Sequence, residues 1–193
     1  MSGSLAVGNQ DSFGRAVSLN SLGDRMIVGA PSDNKVGSAP QSGLAYIFVS
    51  GTNGWTEQQV LSGTLAINTT DNFGYSVDMN SSGDRAIVGA YRDEQTGFPG
   101  DAGIAYVFIS GSNGWTEQQA ISGSLTINGG EFFGCSVAMN SAGNRIVVGA
   151  YGDSSSLGAA ASGLSYIFES GSNGWTEKFI FSGTLAIDST DYF

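Results

Sequence analysis

The sequence contains no histidine, one cysteine, three prolines, and 7 lysines and arginines against 17 acidic residues. Without histidine, the commonest general base and the usual transition-metal ligand are both missing. The single thiol, Cys135, leaves no disulfide to form within the chain and has no base beside it to make it a nucleophile. Scarce proline excludes a polyproline spacer. The formal net charge of −10 repels phosphate backbones and so argues against nucleic acid as a partner. No apolar run approaches the ~20 residues a membrane helix needs, so no membrane insertion is expected. Met1-Ser2-Gly3-Ser4 shows neither the basic nor the apolar region of a signal peptide.

What is present in excess is glycine, 30 of 193 residues, without a collagen-like triplet, so the glycines must serve turns. Hydrophobic residues at 40% and aromatics at 11% suffice for a folded core. The glycines fall into a pattern. Phe13-Gly14 recurs at 73 and 133, Ile27-Val28-Gly29-Ala30 at 87 and 147, and Asn53-Gly54-Trp55-Thr56-Glu57 at 113 and 173, always in steps of 60. The chain divides into three units, 2–61, 62–121 and 122–181, followed by 182–193 as the start of a fourth.

Each unit reads as four strands. The first runs from Phe13 to Leu19, with Phe13, Val17 and Leu19 on alternating positions. The second, Arg25 to Ala30, is continuously apolar, as for a strand covered on both faces. The third is Leu44 to Val49, and Asn53-Gly54 predicts a type I′ hairpin into a more polar, outer fourth strand, Trp55 to Leu61. No 3.6-residue apolar period survives between the glycines, so no helix is expected. The fold class is therefore all-β, with three four-stranded antiparallel blades of a β-propeller; an open β-solenoid is the alternative.

Phe13-Gly14, Val28-Gly29-Ala30-Pro31 and Gly43-Leu44-Ala45-Tyr46-Ile47-Phe48 resemble the FG-GAP repeat family, known from the integrin α-subunit propeller and from bacterial and algal surface proteins. The resemblance spans essentially the whole chain. It implies four-stranded blades, usually seven to a ring, and roles in adhesion, in protein or carbohydrate recognition, or beside an enzyme in a longer chain. Many members carry a calcium loop between the first two strands. Here those loops read Asn20-Ser-Leu-Gly-Asp24, Asn80-Ser-Ser-Gly-Asp84 and Asn140-Ser-Ala-Gly-Asn144, so Asp24 and Asp84 are the candidate ligands. One carboxylate per loop is few for a cation that takes six to eight oxygens, and no cofactor is expected.

No catalytic constellation appears, because the acidic residues recur with the scaffold and equivalent environments do not make an acid and a base. Asp11, Asp71, Glu131 and Asp191 precede each phenylalanine by two, and are expected to cap turns or to pair with Arg25, Arg85 and Arg145. The loops beginning Pro31-Ser-Asp33, Tyr91-Arg92-Asp93 and Tyr151-Gly-Asp153 differ most between copies, and Asp33, Tyr91, Arg92, Asp93, Phe98 and Asp153 are the candidate ligand contacts. Trp55, Trp115 and Trp175 recur beside the hairpin and are expected to pack the blade, as are Phe13, Phe73 and Phe133. Asn68 and Asn80 fit the N-glycosylation pattern.

Three blades do not close a ring, since propellers typically use four to eight. The open faces would be apolar, and the chain stops at Phe193, one residue into its motif. The expected partners are further copies of the chain or further blades of a longer one, and beyond them a surface protein or a glycan. The expected setting is extracellular, at a cell or particle surface.

Overall fold

The computed structural model describes residues 3–5, 11–34, 41–94, 100–126, 129–153 and 163–183. Phe98 and Asp191 lie outside the described residues, as does most of the start of the fourth repeat. Twelve strands form three antiparallel sheets and, among the described residues, there is no helix. The first sheet has β1 (Ala16–Leu19), β2 (Arg25–Ala30), β3 (Leu44–Gly51) and β4 (Gly54–Leu61) in sequence order. The second repeats this as β5 (Ser76–Met79), β6 (Arg85–Ala90), β7 (Ile104–Gly111) and β8 (Gly114–Ile121). The third comprises β9 (Phe133–Met139), β10 (Arg145–Ala150), β11 (Leu164–Gly171) and β12 (Gly174–Phe181). Sheets pack face to face, with β1 and β2 against β5, and β5 and β6 against β9.

The strands follow the sequence pattern, with two instructive departures. The first strand starts at Ala16 and at Ser76, past Gly14 and Gly74 with φ of 88° and 90°, whereas in the third blade it runs from Phe133 through Gly134 (φ 86°) by way of a register shift opposite Gly149/Ala150. The hairpin is also not type I′. Gly51 pairs with Gly54, Thr52-Asn53 form the turn without positive φ, and Gly54 at φ 97° carries the reversal. This is the three-residue loop, a type I turn closed by a left-handed glycine.

Hydrophobic burial lies mostly between the sheets. One core joins Ile27, Ala45 and Ile47 of the first blade to Phe73, Val77, Val88, Tyr106 and Trp115 of the second. The next joins Ile87, Ala105 and Val107 to Phe133, Val148, Tyr166 and Trp175. Past its leading arginine β6 thus spends one face on each neighbour, whereas β2 spends one face on the second blade and the other on Leu5 and Phe13 of its own unit.

Four kinds of contact recur at the junctions. The first is a close approach of backbones: a Cβ on Gly29 would stand 2.0 Å from the Gly74 carbonyl oxygen, and one on Gly89 equally close to that of Gly134. Phe73 and Phe133 follow, their amides donating to Ser42 O (3.0 Å) and Ala102 O (2.9 Å). The second is a glutamine clasp. Gln59 accepts from the Trp115 amide (2.7 Å) and returns a bond to its carbonyl (2.8 Å), and Gln119 does the same at Trp175 (2.8 and 3.1 Å). A register shift opposite Ile47/Phe48 leaves Gln58 unpaired in the ladder, so two successive glutamines reach one neighbour and Gln58 accepts from the Trp115 indole at 3.3 Å. Third, Arg25 and Arg85 donate to the carbonyls of Gly83 (2.8 Å) and Gly143 (3.3 Å). Their guanidinium groups thus reach the next blade's turn rather than the acids two residues before each phenylalanine. Fourth, the turns join at their tips, Ser21 N to Ser81 O and Ser81 N to Ser141 O.

Candidate functional site

The three aspartates of the variable loops turn inward. Asp33, Asp93 and Asp153 are buried, and each accepts a hydrogen bond from a buried tyrosine of the third strand, Tyr46, Tyr106 and Tyr166. The tyrosine ring is roofed by a linker glycine: a Cβ on Gly3, Gly63 or Gly123 would lie 2.4 to 2.6 Å from it. These carboxylates therefore brace the base of their loops instead of presenting themselves to a ligand. Burial pushes Asp93 up to about 7, against the pull of its bond from Tyr106, and raises Asp33 as well. Among the described residues Oδ1 of Asp93 has no hydrogen-bond partner. Asp71 is likewise buried and pushed up to about 6, and it caps its own turn by accepting from the Asn68 amide at 2.6 Å.

The candidate calcium loops are closed on themselves. Asn20 donates to Asp24 (2.8 Å) while its oxygen accepts from the amides of Asp24 and Arg25. Asn80 holds Asp84 at 2.7 Å, and Ser82 adds a bond of 2.8 Å that helps keep the Asp84 carboxyl below the usual range. Asn140 and Asn144 repeat the arrangement without a carboxylate. A cation at Asp24 or Asp84 would compete with these amide bonds. Among the described residues no group of three or more acidic or cysteine side chains converges. Asn80, one of the two glycosylation matches, is buried in this turn, whereas Asn68 is exposed.

What the structure does bring together is a row of rings along the edge where the second strands end. Arg15 lies over Tyr75 (4.2 Å to the centroid), and Tyr75 meets Tyr91 at 4.2 Å. Tyr91 continues to Phe132 at 5.8 Å, and Phe132 stacks on Tyr151 at 4.8 Å. Arg92 sits over Tyr91 at 5.3 Å, with Nε 3.9 Å from Asp101 Oδ2, an ion-pair distance too long for a hydrogen bond. The row crosses both junctions. Sequence reasoning singled out Tyr91 and Arg92 but not Arg15, Tyr75, Phe132 or Tyr151. Their signal was departure from the repeat: sixty-residue equivalents of these rings are Arg15, Pro31 and Ser12 in the first copy. Cys135 lies beside this edge, donating to Gly149 O at 3.3 Å, and burial raises its thiol. Trp115 and Trp175 are buried at the junctions, Trp55 only half so.

The model of the FG-GAP repeat matches residues 7–48, 55–108 and 115–168 in succession, more than half of the chain. The chain belongs to the FG-GAP repeat family. Its repeats make propeller-like blades, and solved structures agree at the level of fold. The Sqt1 protein of Saccharomyces cerevisiae superposes with a TM-score of 0.57 at 10% identity, over 91% of this chain and 37% of that one. Chaetomium thermophilum Sqt1 gives 0.55 at 15% identity, over 94% and 39%. A Bacteroides uniformis protein described as a candidate 6-phosphogluconolactonase gives 0.56 at 8% identity, over 87% and 40%. The FG-GAP chain thus spans less than half the length of these structures. No curated protein matches it significantly.

Proposed function

We propose that this FG-GAP chain is a non-enzymatic structural or adhesive propeller segment of an extracellular, cell or particle surface, completed at its two end faces by further blades. The observation that carries the reading is where apolar surface stays in water. Val17 and Leu19 of the first blade are 66% and 56% exposed, although their second-blade counterparts Val77 and Met79 are 8% and 5% exposed. On the third blade, Val147, Phe179 and Phe181 are 40%, 58% and 47% exposed. Surfaces of this kind mark interaction faces. The absence of histidine and the use of the aspartates as loop braces support a non-catalytic role. The test is mass in solution. Sedimentation equilibrium over a wide concentration range is expected to show species larger than 19.8 kDa, and a monomer throughout would overturn assembly by this chain.

The row of rings favours a second reading, a carbohydrate-binding role at the blade junctions. Aromatic rings flanked by Arg15 and Arg92 offer stacking and hydrogen bonding to a sugar. Glycan-array binding that falls on Tyr91→Ala would support it; no glycan signal from the unaltered protein would remove it.

A further inference from the structure

We propose that Asn53-Gly54, at the tip of the first blade's outer hairpin, is a site of spontaneous deamidation, and that the glutamine clasp protects the same pair in the other two blades. The Gly54 backbone nitrogen attacks Cγ of Asn53, and a C–N bond forms as ammonia leaves with the nitrogen's proton. Water then opens the resulting succinimide at either carbonyl, giving aspartate or isoaspartate. Glycine is the favourable successor because no Cβ shields its amide.

The motif itself does not distinguish the three blades. Gly51-Thr52-Asn53-Gly54-Trp55-Thr56-Glu57 differs from its copies at 111 and 171 only by a threonine where they have Ser112 and Ser172. In each hairpin the flanking glycines pair, Gly51 with Gly54, Gly111 with Gly114 and Gly171 with Gly174, and the asparagine is exposed. Gly54, Gly114 and Gly174 hold nearly the same φ, 97°, 95° and 94°. In a type I turn the asparagine has ψ of about 0°, which swings the following nitrogen out of the plane of Cα, Cβ and Cγ. Ring closure therefore waits for the turn to open, and its rate follows how easily each hairpin opens locally.

Two of the restraints on opening are repeated in every blade. The amides of Ser50, Ser110 and Ser170 donate to the carbonyls of Asp24, Asp84 and Asn144 at 2.8, 2.8 and 3.0 Å. Glu57, Glu117 and Glu177 accept from the amide and hydroxyl of Ser4, Thr64 and Ser124 at 2.6 to 2.8 Å.

The clasp is what differs. Gln59 holds the amide and carbonyl of Trp115 while Gln58 holds its indole, and Gln119 and Gln118 do the same at Trp175. The clasping side chain also lies on the reactive glycine. A Cβ on Gly114 would stand 2.5 Å from Gln59 Oε1, and one on Gly174 would stand 2.6 Å from Gln119 Oε1. Among the described residues nothing comes within 4 Å of that position on Gly54, and no glutamine reaches the Trp55 backbone. A sixty-residue step back from Gln59 falls ahead of Met1, so no residue of this sequence is its counterpart. Exposure agrees: Gly54 is exposed and Trp55 half-buried, whereas Gly114 and Gly174 are half-buried and Trp115 and Trp175 buried. Deamidation at Asn53 adds a carboxylate to an already acidic chain. As isoaspartate it also lengthens the backbone by one methylene inside the turn.

The test compares the three sites within one molecule. The unaltered chain is incubated in mildly alkaline buffer and then cleaved after glutamate, which puts Asn53, Asn113 and Asn173 on separate peptides for mass spectrometry. Asn128-Gly129, the remaining pair of this type, falls on a peptide of its own and begins outside the described residues. Asn53 is expected to deamidate about tenfold faster than Asn113 or Asn173. In denaturing guanidinium chloride all three should react at one rate, because their local sequences match. Gln59→Ala should speed Asn113 about fivefold and leave Asn173 unchanged, and Gln119→Ala should do the reverse. Circular dichroism melts check that both variants stay folded at the incubation temperature. Equal rates at the three sites in the folded chain, or a lead for Asn53 that survives denaturation, would overturn the proposal. So would a Gln59→Ala chain in which Asn113 stays slow or all three sites accelerate together.

Discussion

The second and third blades are built from nearly the same sequence and differ in what covers them. Ile87 is buried at 0% exposure, whereas its counterpart Val147 is 40% exposed. The difference in side chain is one methylene; the difference in environment is a whole neighbouring sheet. At this position burial belongs to the junction and not to the blade, although the first blade also buries Val28, Tyr46 and Phe48 beneath Leu5, Phe13 and Trp55 of its own unit. A four-stranded sheet with two apolar faces does not hide them by itself, and each added unit covers the last one while exposing its own.

The sharpest way to break the comparison is to place one side chain at equivalent glycines. Gly89→Val puts carbon atoms against Gly134 O, where even a Cβ stands at 2.0 Å, and is expected to cost about 3 kcal/mol or to prevent folding. The same change at Gly149, which among the described residues meets only its own blade, should leave the unfolding free energy from urea titration within about 0.5 kcal/mol of the parent. Equal losses at the two sites would mean that the second junction is not the tight contact described.

An intermediate effect comes from the buried carboxyls. Asp93 and Asp71 hold their protons more tightly folded, at about 7 and about 6, than in the unfolded chain, at 3.8. Between those values the folded state binds more protons, so stability should fall as pH rises from about 4 to 7 and level off above. Together the two carboxyls contribute several kcal/mol across that range. In Asp93→Asn the slope should shrink markedly. In Asp33→Asn, whose blade has no predecessor, it should change less. Thermal melts across that pH range read both, and a slope of opposite sign would remove the burial argument.

The smallest effect sharpens the clasp. Gln119→Ala removes two hydrogen bonds to the Trp175 backbone and should cost about 1 kcal/mol in urea unfolding. Lys178→Ala, in the adjoining slot of a face with no successor, should cost nothing measurable.

The sixty-residue spacing made the sheets readable, because glycines mark every reversal and alternation marks the faces. It gave no warning that Phe13-Gly14 is an elbow and not a strand, since the left-handed φ of 88° at Gly14 leaves no mark on an alternating apolar pattern. The bracing of Asp33, Asp93 and Asp153 by tyrosines thirteen residues on was equally hidden: a polar loop residue looks the same whether it faces solvent or bends inward. The row from Arg15 to Tyr151 was overlooked for a related reason. Reading by repetition favours what recurs, and those rings occupy positions where the copies disagree.

One set of bonds also orders the making of the molecule. Thr64 and Ser124 give both amide and hydroxyl to Glu117 and Glu177, partners 53 residues downstream. On a ribosome the opening stretch of each unit emerges first and waits until almost the entire unit has followed it out of the exit tunnel. Each unit is thus expected to close only when its glutamate has arrived, so that the nascent chain gains structure by whole blades.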